Sequence, residues 1–145
     1  MEYEMQNTIF TDLLTRLGTL PEWGLLVEED NVLRVIDSDD PMLPDSFIIV
    51  QPGITEEIER AGQGSIRERW TLNITPITRN RNAGPALRNV RVLIKRLLTG
   101  QQGGFGIPGL QAVAFMPETP MLAGPGQRWS AHVMPLQITY VQPLK

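Results

Sequence analysis

Apolar and polar positions along this chain change period several times, and each change marks an element. From residue 66 to residue 75 the period is two. Ile66, Glu68, Trp70, Leu72 and Ile74 point one way, while Arg67, Arg69, Thr71, Asn73 and Thr75 point the other. Such alternation predicts a strand with one face on a core and one in solvent. Phe47, Ile48, Ile49, Val50 and Gln51 form a β-branched run that predicts another strand, ended by Pro52 and Gly53. Residues 54–60 carry the run TEEIER, which fits a helical turn or a strand. The strand is preferred, because Ala61, Gly62, Gln63 and Gly64 supply a turn just before the alternating segment. The pair then makes a hairpin with a wide turn and a projecting tip.

Elsewhere the period is helical. Ile9, Phe10, Leu13, Leu14 and Leu17 line one face of a short helix, with Asn7 or Thr8 as its cap and Gly18 as a left-handed stop. Leu20, Pro21, Glu22, Trp23 and Gly24 read as a turn with a partly buried tryptophan. Residues 32–36 fit a short strand or a segment packed on the core. Residues 37–45, punctuated by Pro41 and Pro44, read as an acidic loop. A second helix over residues 86–99 buries Leu87, Val90, Leu93, Ile94, Leu97 and Leu98, with Pro85 in its first turn and Gly100 as its stop. Strands follow at residues 110–116 and 129–141, joined by a Pro/Gly-rich connection. Pro135 in the last strand implies a bulge or an edge position, since it has no N–H to donate. The expected fold is one α+β domain over residues 1–145: a mostly antiparallel sheet, two amphipathic helices packed on one face, and a projecting hairpin.

Charge adds a second pattern. Residues 1–60 hold 14 of the 16 acidic side chains and three arginines, a net of −11; residues 61–145 hold ten Lys/Arg and two glutamates, a net of +8. From charge alone, neutralisation inside one monomer comes first and a head-to-tail meeting of unlike surfaces second. With 41% hydrophobic and 20% charged residues, the 145-residue chain has the composition of a globular domain. The acidic start at Glu2 and Glu4 lacks the basic and apolar stretches of a signal peptide, and no segment has the roughly 20 apolar residues of a membrane helix.

Candidate chemistry is thin. There is no cysteine and one histidine, His132, which excludes thiolate chemistry and the usual zinc sites and reads as a packed or strand-edge side chain. No nucleophile-elbow glycines surround Ser65 or Ser130. Asp37, Asp39, Asp40 and Asp45 have something of calcium-loop spacing, but two prolines interrupt them and the terminal Glu is missing, so a solvated loop is expected. Gly104 to Gly109 spells G-x-G-x-x-G, but a helix precedes it and a strand follows, the reverse of the dinucleotide-binding context. A flexible loop is expected there. Arg67, Arg69, Arg79, Arg81, Arg88, Arg91, Lys95 and Arg96 fit a phosphate-binding surface or contacts with acidic protein surfaces. The net charge of −3 and the few aromatics favour the second. No enzyme activity, metal or cofactor is expected.

In the order of these elements the chain resembles the tail terminator, or tail completion, proteins of long-tailed bacteriophages. The resemblance rests on the opening amphipathic helix, the hairpin arm from Arg67 to Ile74, the basic helix from Leu87 to Leu98, and the closing strand from Trp129 to Tyr140. It implies a hexameric ring on the head-proximal end of a tail tube, which stops tube and sheath polymerisation and docks the neck or connector. Implied partners are further copies of the chain, the tube protein, the neck or connector protein and, in contractile tails, the sheath; DNA would pass through the channel without specific binding. The implied location is the virion, assembled in the host cytoplasm. Candidate contacts are the eight basic residues just named together with Asp37, Asp39, Asp40, Glu56, Glu57 and Glu59, some acids facing the channel. A head-closure or neck protein is the alternative within the particle, and a small nucleic-acid-binding module the alternative of another class.

Overall fold

In the computed structural model, which describes residues 4–62 and 64–145, the alternating segments form the centre of a six-stranded sheet. Helix α1 (Met5–Leu17) leads through a one-turn helix (Trp23–Leu25) to strand β1 (Val27–Glu29) and helix α2 (Val32–Ser38). Strands β2 (Ser46–Ala61) and β3 (Ser65–Thr78) make the hairpin, followed by helix α3 (Ala83–Leu97), β4 (Leu110–Phe115), β5 (Thr119–Met121) and β6 (Ser130–Pro143). The strand order is β1-β2-β3-β6-β4, with β5 also on β6. Among the described residues only β1 and β2 run parallel. Gln63 in the expected hairpin tip and the first three residues lie outside the described residues.

The period-two pattern assigns the faces. Ile48, Val50, Trp70, Leu72, Ile74, Leu136 and Ile138 turn toward α1 and α3, where they bury Ile9, Leu13, Leu87, Val90 and Ile94. Phe47, Ile49, Ile77 and Ala131 turn the other way and pack on Val32 and Val35 of α2, with Trp129 edge-on to Phe47. The two expected helices do share one face, and a third covers part of the other. Residues 32–36 are therefore helical rather than a strand. Asn31 Oδ1 caps the helix by accepting the Arg34 N–H at 3.1 Å, and apolar burial at spacing three outweighs the β-branched composition.

Other boundaries move for local reasons. Helix α1 starts earlier than Asn7, because Glu4 accepts the Gln6 N–H at 2.7 Å and Met5 is fully buried. Gly18 ends it with φ −64°, not left-handed. Its neighbour Gly24 is the demanding position, since a Cβ there would lie 2.5 Å from the Gly18 carbonyl oxygen. Glu22, at φ 66°, is the centre of a γ-turn in which the Trp23 N–H donates to Pro21 O at 2.7 Å. Helix α3 begins at Ala83 rather than residue 86, with Pro85 still in the first turn.

Pro52 and Gly53 do not end β2. The strand runs on through register shifts at Pro52/Thr55 and Glu57/Glu59, and Gly53 lets the backbone approach Thr71 O, where a Cβ would sit at 2.9 Å. β1 pairs only with residues 48–50 of β2, so the rest of that strand has no neighbour on its outer side among the described residues. Pro135 makes no bulge against β3, where Asn73 and Pro135 are in register. It occupies the gap where β4 gives way to β5, its carbonyl accepting the Met116 N–H at 2.9 Å, so the missing N–H falls at a local edge. The connection expected after residue 116 contains the short strand β5.

Candidate functional site

The charged residues singled out in the sequence fall into three groups. The first is the hairpin. Arg69 Nη1 lies 3.2 Å from Glu56 Oε1 and Arg67 Nη2 lies 3.4 Å from Glu59 Oε2, both pairs in register across β2 and β3. Glu57 is bound by Arg60 at 2.8 Å. All these side chains are more than 40% exposed, so each pair contributes about 0–1 kcal/mol at most.

The second group staples residues 39–45 to the sheet. Asp39 caps α2 in the left-handed conformation, accepts the Trp129 indole N–H at 3.0 Å and pairs with Arg128 at 3.0 Å. Asp45 accepts Arg79 Nε–H at 2.7 Å, while Arg79 also donates to Leu43 O at 3.0 Å and lies over the Trp129 ring. The expected solvated loop is thus bound at two of its four carboxylates. Asp37 and Asp40 are exposed and make no ion pair among the described residues.

The third group is α3. Arg91 and Lys95 reach Glu118, at 2.7 and 2.6 Å, and His132 Nε2 lies 2.7 Å from the same carboxylate. Arg91, then Lys95 and His132, hold the Glu118 carboxyl well below the usual carboxylate range, and Glu118 in turn raises Arg91. Because that carboxylate is ionised, the proton on the histidine bond belongs to Nε2. Glu118 therefore ties the β4–β5 link to α3 and β6. Sequence reasoning passed over it; its signal was being one of two acids in a strongly basic stretch. Arg81, Arg88 and Arg96 are exposed and make no ion pair among the described residues.

Beside the start of α3 is a cleft of about 610 Å³ whose walls include Arg79, Arg81, Arg128, Gly84 and Leu122, and no carboxylate. The glycine match at residues 104–109 is a pinned loop. Arg16 donates to Leu97 O at 3.1 Å, Gly103 O at 2.8 Å and Gly104 O, and lies 4.6 Å from the Phe105 ring centroid. Its three glycines, Gly104, Gly106 and Gly109, have positive φ, as does Gly103 just before it. Tyr140 is fully buried, accepts from Gln6 at 2.8 Å and donates to Glu68 at 3.0 Å; burial pushes its hydroxyl pKa up. Among the described residues no three His, Asp or Glu are grouped as a metal site would need, and no helix is long and apolar enough to cross a membrane.

No protein-family model matches the chain, and no curated protein matches it. Among solved structures it is similar to a chain in the virion of a native gene transfer agent particle. That likeness has a TM-score of 0.65 at 11% identity and spans 96% of this chain and 98% of the other. A second solved chain is 16% identical with a TM-score of 0.50, over 97% of this chain and 96% of that one. At these identities what is shared is the fold.

Proposed function

We propose that this chain is a structural virion protein without catalytic activity, working as the terminator of a phage-type tail. Copies form a closed ring, with six as the expected number, on the head-proximal end of the tail tube. The ring stops tube and sheath growth and offers its other side to the neck or connector, while the genome passes through without specific binding.

The observation that carries this reading is the end-to-end likeness to a chain of a virion particle, in both directions and over nearly full length. The terminator role itself rests on the element order read from the sequence. The geometry is compatible with docking rather than chemistry: the charged clusters are consumed in ion pairs or lie exposed on surfaces. Deleting the gene from the particle's genome is the test. Loss of a stop leaves tube growth unchecked, so electron micrographs should show tails of irregular, extended length without heads. Tails of normal length joined to heads would contradict the proposal.

A further inference from the structure

Among the described residues, some charged side chains outside the internal ion pairs lie near opposite edges of the sheet. On the β1 edge, Glu28 is exposed without an ion pair among the described residues and shares a groove with Asp40 and with Asp30, which is paired to Arg34, so carboxylates outnumber cations there three to one. Leu25, two residues before β1, is 76% exposed. At the opposite edge, beside β5, stand Arg81 and Arg88, the latter with its guanidinium 3.2 Å from where a Gly84 Cβ would be. Leu122, in the same cleft as Arg81 and Gly84, is 64% exposed. Four strand spacings separate β1 from β5 in the sheet order, which is about 19 Å. That exceeds twice the screening length of about 8 Å at physiological salt, so Glu28 is not neutralised by the arginines beside β5 in its own molecule; Asp40 lies nearer to them, next to the Asp39 that pairs with Arg128.

We infer that the β1 edge of one copy docks against the β5 edge of the next, Glu28 and Asp40 meeting Arg81 and Arg88 around Leu25 and Leu122. The inference rests on the ring reading and names its subunit interface. A second copy fits better than a nucleic acid because each edge supplies the complement of the other and each has an exposed apolar side chain, which phosphate binding does not use. Carboxylates on the open β1 edge also oppose pairing of two such edges with each other, so the contact is head-to-tail, the kind that builds a ring where the rotation between copies closes. Most of the sequence-predicted contact residues fall out of this interface: Arg67, Arg69, Arg79, Arg91, Lys95, Asp39, Glu56, Glu57 and Glu59 are held by partners in their own chain.

A charge swap tests it. One variant carries Glu28→Lys and Asp40→Lys, the other Arg81→Glu and Arg88→Glu; circular dichroism should match the wild type and melting should change little, since none of the four makes an ion pair among the described residues and the one side-chain bond lost, from the Met42 N–H to Asp40, is exposed. Association is read by sedimentation at low salt and as copies incorporated per particle. Each variant alone should associate at least tenfold more weakly than the wild type, and an equimolar mixture should recover association, because unlike edges then alternate. Variants that each assemble like the wild type overturn this interface, and closed rings formed by them leave the ring reading standing. A mixture that fails to recover also overturns it, as does tight, steeply salt-dependent binding of duplex DNA lost in the arginine variant. Single wild-type copies on particles would overturn the ring reading itself.

Discussion

The Glu118 site and the β2–β3 hairpin both join acids to bases, yet they use charge in opposite ways. At Glu118 the carboxylate is 13% exposed and gathers Arg91, Lys95 and His132 from two other elements. In the hairpin, Arg69 and Glu56 are 42% and 57% exposed and join two strands already held by a backbone ladder. A largely buried carboxylate with three partners holds tertiary structure, whereas exposed cross-strand pairs mainly discourage wrong pairing along an open edge. The charge that neither group consumes is what remains for a partner.

The largest expected effect follows from breaking the buried site. Glu118→Ala should lower unfolding free energy by about 2–4 kcal/mol, because it strands two cations and a buried histidine. Urea denaturation measures this, and a loss below about 1 kcal/mol would place Glu118 with the hairpin pairs. Next comes Arg16→Ala, which removes three carbonyl contacts and the stacking on Phe105. A loss of about 2 kcal/mol is expected, with faster amide exchange confined to the loop after α3.

Acid sharpens the same contrast. The folded Glu118 stays ionised while its unfolded counterpart takes up a proton near pH 4.5. The unfolded state then binds more protons, so the contribution of Glu118 is fully present above about pH 5 and is lost as pH falls toward the depressed folded value. Between about pH 5 and pH 2, Glu118→Gln should therefore lose stability with a shallower slope than the wild type; parallel curves would refute this. The smallest effect belongs to the hairpin. Glu56→Gln with Glu59→Gln should change stability by no more than about 1 kcal/mol, by the same denaturation measurement.

How much was legible beforehand follows from the same physics. The alternation through Trp70 and Leu72 and the stripe through Leu87, Val90 and Ile94 set strand and helix faces that the fold retains, because burial acts along a whole element. Helix α2 was ambiguous since seven residues carry too little periodicity to overrule valine and isoleucine. Pro135 looked disruptive because the gap between β4 and β5 that accommodates it depends on pairing with distant strands. The candidate surface was legible only as a sum. Residues 1–60 and 61–145 do carry opposite charge, but which members remain free depends on contacts such as Asp45 with Arg79, 34 positions apart. Arg16 gave no local sign of its role, since its partners are 81–88 residues away.

The most direct measurement is an electron-microscopy reconstruction of the particle at side-chain resolution. A single ring of this chain, expected to hold six copies, should sit between tail tube and neck, with Glu28 of each copy facing Arg81 and Arg88 of the next. Solitary copies, or a position in the capsid shell, would contradict that arrangement.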